Sequence, residues 1–328
     1  GNIARNSILA SSLPESVPGT SVDRQCGSSQ QALHFAAQAV MSGTQDVVIA
    51  GGVEVMSLVP IGASVKDGYD AGHGFPFNAS GIESRYPGVF FSQFTGAELV
   101  AKKWNLSRED LDNFALSSHQ KAAYASEQGY FKNEILPIES RSDANTGSLI
   151  YQDEGIRYDA SIEALSGLKT VIDEGLITAG NASQITDGAS AVMVCNDAGL
   201  KKIKVDPRAE IISLSVVGDD PVFMLTGPIP ASISALKNIN LSIDDMDLYE
   251  INEAFAPVPL AWAHELRADI SKLNVNGGAI SLGHPLGSTG TKLMTTLLHE
   301  LERRNGKYAL QAICEGGGTA NATIIKKI

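Results

Sequence analysis

Apolar residues fall along this chain in two rhythms. Over 30–41, 107–128 and 290–304 they recur at every third or fourth position, the spacing of a helix that buries one face. A shorter stretch at 4–12 has the same period and is broken by Pro14 and Pro18. The helix over 30–41 is rich in Ala32, Ala36, Ala37 and Ala39, small enough to let neighbouring backbones approach, so it is expected inside the molecule. Elsewhere the apolar residues run nearly unbroken: 46–50, 189–195, 248–251 and 308–314. Such runs predict strands covered on both faces. The first is expected to stop at Gly51-Gly52 and the last at Gly316-Gly317-Gly318.

The order of these elements carries a repeat. The early unit reads extended segment 21–25, Cys26, small-residue helix, strand, Gly-Gly. The late unit reads strand, glycine-rich extended segment 274–279, His284, helix, strand, Gly-Gly-Gly. A repeat this long points to a duplicated α/β half rather than a solenoid. Between the units, from 56 to 185, the chain is richer in polar and aromatic residues and reads as an excursion domain. The expected division is 1–55 with 186–206 as one core half, 56–185 as a loop domain and 207–328 as the other half.

Composition narrows the function. The chain has 328 residues, 43% hydrophobic and 19% charged, with 32 glycines. That is an ordinary balance with ample core. A net charge of −12 argues against nucleic-acid binding, which needs clustered Lys and Arg. No stretch approaches the ~18 apolar residues of a membrane span. Three cysteines, an odd number, argue against a disulfide scaffold. They point to a reducing, cytoplasmic compartment. A mitochondrial or peroxisomal matrix is the alternative in a eukaryote.

Four positions hold chemistry. Cys26 sits where an extended segment becomes a helix; backbone N–H groups and the helix dipole there favour a thiolate. The same position suits a small packing residue. Cys314 ends a strand and precedes three glycines, whose free N–H groups suit an oxyanion hole, although a strand-end cysteine beside a flexible turn reads the same way. His284 is held between Gly283 and Pro285, as a positioned base requires. Asn252 follows the strand at 248–251 and suits either a water anchor or a helix cap. Cys195 follows an apolar run and is expected in the core. His34, His119, His264 and His299 lie on helical patterns, as surface or packing residues. No G-x-S-x-G elbow and no metal-ligand spacing is present.

Together, Cys26-Gly-Ser-Ser, Asn252-Glu-Ala-Phe, Gly283-His-Pro-Leu-Gly and Cys314-Glu-Gly-Gly-Gly resemble the thiolase family. Supporting segments at 51–57, 178–183, 227–231 and 274–279 agree, so the resemblance spans the chain. It implies a duplicated five-layer αβαβα core with an inserted loop domain. It implies an acyltransferase that cleaves or forms 3-oxoacyl-CoA, with coenzyme A as substrate and no permanently bound cofactor or metal. By resemblance Cys26 carries the acyl group, His284 is its base and Cys314 is the second acid/base. Asn252 with a water and His284 form one oxyanion hole; the N–H groups of Cys26 and Gly316 form the other. Ser183 and, less closely matched, Arg157 correspond to CoA contacts, and Met224, Ala254 and Phe255 to pocket positions. The family's oligomers imply a homodimer or homotetramer. Two departures stand out: the family's first βαβ portion is missing, so that either the chain is a fragment or the leading residues lie outside this numbering, and Gln93 replaces a methionine common at that place. A ketoacyl synthase would use one cysteine with two histidines. A lipid carrier would lose a reactive residue, and a fragment would have only a structural role.

Overall fold

The computed structural model describes residues 1–140 and 147–328. The strands are β1 (Val47–Val55), β2 (Ile138–Glu139), β3 (Leu149–Ile150), β4 (Asp187–Cys195), β5 (Ala209–Gly218), β6 (Leu248–Ile251), β7 (Tyr308–Glu315) and β8 (Thr319–Lys327). β1 and β4 pair antiparallel, Ile49 facing Met193. β2 and β3 make a short ribbon. The four-stranded sheet has the order β5-β8-β7-β6, with β6 and β7 parallel and the other pairs antiparallel.

Burial explains the layering. The Ser28–Met41 and Leu286–Arg303 helices lie side by side between the two sheets. One apolar cluster joins Leu33 and Ala36 with Met294, Leu297 and Leu301. It reaches Ala50 on one sheet and Leu248, Ala309 and Ile325 on the other. On the far side of the four-stranded sheet, the Pro228–Asn238 and Pro257–Leu266 helices pack Ala235 and Trp262 against Tyr249, Leu310 and Ile324. The described residues thus stack as helix, sheet, helix, sheet. The two helices that begin beside Cys26 and His284 share the middle layer, as expected of a duplicated α/β core.

Four local expectations change. β1 does not stop at Gly51-Gly52; it runs through them to Val55. A Cβ at Gly52 would lie 1.9 Å from the Gly287 carbonyl oxygen, so the glycine lets the strand touch the Leu286–Arg303 helix. β1 is also not covered on both faces: Ile49, Val53 and Met193 are exposed on the outer face of the two-stranded sheet. Cys195, at the end of β4, is accordingly half-buried rather than core. The segments 21–25 and 274–279 form no strand, contributing a 3-10 turn at Gln25–Gly27 and a short helix at Ala279–Leu282.

Candidate active site

Cys26 enters the site on a tight turn. Gln25 takes a left-handed backbone, φ 52°, and the Ser28–Met41 helix begins directly after Gly27. The thiol is buried against Leu293 and Ile313, with Leu286 packed alongside. Gly290 fits against this helix only because it lacks a side chain: its Cβ would fall 2.1 Å from the Gln30 nitrogen. Thr291 N–H donates to Ser29 Oγ at 3.1 Å.

His284 lies just before the second middle helix and is 4% exposed. Its backbone N–H donates to the Gln184 carbonyl at 3.2 Å. Its ring bridges two partners. Nδ1 is 2.6 Å from Thr289 Oγ1, and that hydroxyl donates to the Pro285 carbonyl at 2.9 Å. A hydroxyl has one proton, so Thr289 accepts from Nδ1–H. Nε2 is therefore the lone pair, and it accepts from Asn252 Nδ2 at 3.3 Å. Asn252 is buried, and its Oδ1 has no partner. An orphaned buried acceptor marks a place for a water or a substrate donor.

Cys314 lies one residue before the end of β7, near Asn252: Ile251 pairs with Ala312, and Asn252 N–H donates to the Ala312 carbonyl at 3.0 Å. Its thiol packs in one cluster with Met224, Ala254, Phe255 and Ala182. Met224 itself has a left-handed backbone, φ 59°. Gly316 opens the turn after β7, where Gly317 and Gly318 both take φ 75°.

Burial sets the charge states. The Cys26 thiol is pushed up to about 12, chiefly by desolvation, then by the charges of Glu315 and Glu54. The expectation of a resting thiolate is thus reversed: backbone hydrogen bonding at the helix start lowers the value, but burial outweighs it. Cys314 is raised as well, by burial, then by Cys26 and Glu315. His284 is held down to about 4 by burial and by Lys292. At neutral pH the site holds two thiols and a neutral imidazole whose Nε2 lone pair faces Asn252 Nδ2.

The segment carrying Ser183 reaches this place through backbone bonds. Ser183 N–H donates to the Ala254 carbonyl at 3.0 Å, and Ala182 bridges to Phe255. Arg157 is brought only to the surface beside the Arg108–Glu127 helix: its backbone N–H donates to His119 Nδ1 at 3.1 Å, and the residue is exposed. Three supporting residues escaped the sequence reading. Thr289 sets the His284 tautomer. Glu54 accepts from the Gly287 N–H at 2.9 Å and caps the second middle helix. Glu253 accepts from Ser118, Asn274 and the Ile280 N–H, pinning the loop before His284. Glu253 carried a signal by standing next to Asn252, and Glu54 by lying in the matching segment 51–57; Thr289 carried none. Among the described residues no group of three His, Cys, Asp or Glu is placed to hold a metal ion, and no helix is long and apolar enough to cross a membrane.

Comparison with known proteins identifies the family. The model of the thiolase N-terminal domain matches residues 1–198 and that of the thiolase C-terminal domain residues 205–327. The chain is 53% identical to the steroid 3-ketoacyl-CoA thiolase FadA6 of Mycobacterium tuberculosis, over 100% of this chain and 79% of that one. It is 41% identical to a 3-ketoacyl-CoA thiolase of Aliivibrio fischeri, over 99% and 83%. The crystal structure of human mitochondrial 3-ketoacyl-CoA thiolase in complex with CoA superposes with a TM-score of 0.86, at 37% identity over 99% of this chain and 82% of that one. Fold and relatives define an acyltransferase of CoA thioesters. The chain belongs to the thiolase family, and its activity is the making and breaking of the carbon–carbon bond of 3-oxoacyl-CoA.

Proposed function

We propose that Cys26 is the acyl carrier, His284 its base and Cys314 the second acid/base. The observation that carries this reading is the meeting of three distant segments. Cys314 and Asn252 leave neighbouring parallel strands, while Leu286, two residues beyond His284, packs against Cys26. In the degradative direction His284 Nε2 takes the proton of Cys26 Sγ as the thiolate attacks the 3-oxo carbon. The C2–C3 bond breaks, its electron pair passes to the leaving acetyl-CoA, and the Cys314 thiol protonates that carbanion. The Cys314 thiolate then takes the proton of a second CoA thiol. That CoA sulfur attacks the thioester carbon, and Cys26 leaves as thiolate, to be reprotonated by His284. Condensation is the reverse.

Each tetrahedral oxygen needs donors. One pair is His284 Nε2–H, formed when the ring takes the proton, with a water held by Asn252. The other pair is the backbone N–H of Cys26 and of Gly316. Ser183 and Arg157 contact the CoA handle on a loop domain of residues 56–185, between core halves 1–55 with 186–206 and 207–328. Met224, Ala254 and Phe255 line the acyl pocket. The acyl class is 3-oxoacyl-CoA from acetoacetyl-CoA to somewhat longer chains, and the assembly a homodimer or homotetramer working in a reducing, cytoplasmic compartment. No permanently bound cofactor takes part.

Incubation with acetyl-CoA followed by peptide mass analysis tests the first assignment. The acetyl group is expected on Cys26, and a Cys26→Ser chain stays unlabelled. A label on Cys314 or Cys195 would reverse it.

A further inference from the structure

Glu315 follows Cys314 directly and is 1% exposed, yet the reaction above gives it no part. Its carboxylate is ion-paired with Arg24, two residues before Cys26. Oε2 also accepts from Thr319 Oγ1 at 2.8 Å. Oε1 has no protein partner and lies against Gly27: a Cβ built there would fall 1.9 Å from Oε1 and 2.5 Å from Cδ. The contact is reciprocated. A Cβ on Gly316 would fall 2.2 Å from Gln25 Oε1. Each turn therefore has a glycine that receives the other's long polar side chain; Cys26 directly precedes Gly27, and Cys314 stands two residues before Gly316. Arg24 extends the lock inward, donating to Gln31 Oε1 at 3.2 Å, which also accepts from Asn321 Nδ2 at 3.2 Å.

We propose that Glu315 is a positioning residue of the reaction: paired with Arg24 and seated beside Gly27, it locks the Cys26 turn to the Cys314 turn and so sets the spacing of the two thiols. The inference rests on the roles proposed for those cysteines. A hydrophobic residue would fill the same space without the cost of desolvating a carboxylate. What the carboxylate adds is a directed bond to Arg24 and a negative charge near both sulfurs. That charge helps keep both groups as thiols at rest, so that a proton moves only when the acyl group and His284 are engaged.

Two experiments on the full chain test this. Glu315→Gln keeps the volume beside Gly27 and an oxygen for Arg24 but removes the charge. The pH dependence of iodoacetamide alkylation, read by peptide mass at Cys26 and at Cys314, is expected to move to lower pH by about half a unit or more at both. The kcat is expected to fall about tenfold, with the KM for CoA changed less than about twofold. The second experiment is a cycle. Gly27→Ala is expected to cost about a hundredfold in kcat, because its Cβ meets the carboxylate. Glu315→Ala removes Cγ, Cδ and both oxygens, and in that background Gly27→Ala is expected to cost less than about tenfold. Unchanged alkylation profiles in Glu315→Gln would overturn the proposal. So would equal costs of Gly27→Ala in both backgrounds. Loss of far-UV dichroism in Glu315→Gln would also overturn it, since an isosteric change that unfolds the chain marks a purely structural pair. An acetyl label absent from Cys26 would sink the underlying assignment instead, and would leave the result of the Gly27 cycle standing.

Discussion

A base that must be neutral to act is best buried, and His284 shows how far that goes. Desolvation, then Lys292, hold it down to about 4. The neutral ring persists as pH falls and is lost only on passing through about 4. The acid limb of acylation is therefore expected near pH 4, not near the ordinary 6.5 of a histidine. Short pH jumps with burst-phase acylation by acetyl-CoA would locate it; a limb near 6.5 would mean the ring is wetter than the structure indicates. Lys292→Met removes one of the two causes and should move the limb upward. The tautomer is a separate lever. Thr289→Val keeps the shape but removes the acceptor of Nδ1–H, so the ring gains the freedom to put its proton on Nε2. A loss of about 10–100-fold in the acylation rate is expected, restored largely by Thr289→Ser. Equal activity of the Val and wild-type chains would show that Thr289 does not set the tautomer. Part of this was legible in the sequence. Cys26, His284 and Cys314 each stand in a short motif whose glycines and proline advertise a fixed turn. Thr289 has no such mark, because its role depends on one turn of helix folding back on the ring. Glu315 depends on Arg24, 291 residues away, and no local pattern reports that.

At the scale of elements, the two middle helices carry the site, and their beginnings are held by β1. Gly52 gives the close approach to Gly287, and Glu54 caps the second helix through the Gly287 N–H. A carboxylate at a helix N-terminus satisfies an orphan donor and favours the dipole, so Glu54→Ala is expected to cost about 1 kcal/mol. Urea unfolding would measure it. The same change removes one charge that raises the Cys26 thiol, so its alkylation profile should move to lower pH. A stability unchanged within error would indicate that water caps the helix equally well. The strands explain where sequence reading stopped short. The apolar run at 46–50 announced β1, but Gly51-Gly52 looks like punctuation unless the helix that needs those glycines is known. The continuous run also promised cover on both faces. Such a run cannot tell a covered face from the exposed one that carries Ile49, Val53 and Met193.

The whole molecule is held together by its shared middle layer and by a second apolar cluster that joins residues 97–182 to residues 224–314. The Gln93–Lys103 and Arg108–Glu127 helices contribute Ala97, Val100 and Ala115 to the same cluster as Cys314, Met224 and Phe255. The acyl pocket proposed here is thus a joint between two distant parts of the chain rather than a property of either. At that joint the Phe94 ring meets Phe255 edge-on, 5.5 Å between centroids, with Phe94 half-open to solvent and Phe255 buried. If Phe255 walls the acyl group, Phe94 backs that wall from the first turn of the Gln93–Lys103 helix. Removing it should then lengthen the pocket more than it loosens the core. A methylene in an apolar pocket is worth about 1–3 kcal/mol, so neighbouring chain lengths are discriminated modestly in the wild-type enzyme. Phe94→Ala is expected to raise kcat/KM for longer 3-oxoacyl-CoAs about tenfold relative to acetoacetyl-CoA, a shift of ~1.4 kcal/mol. A chain-length series of 3-oxoacyl-CoAs measured in both proteins decides it. Parallel losses at every chain length would mean that Phe94 supports the fold of the joint and not the selection of the acyl group. A strict preference for the four-carbon substrate in the wild type would remove the longer chains from the proposed range.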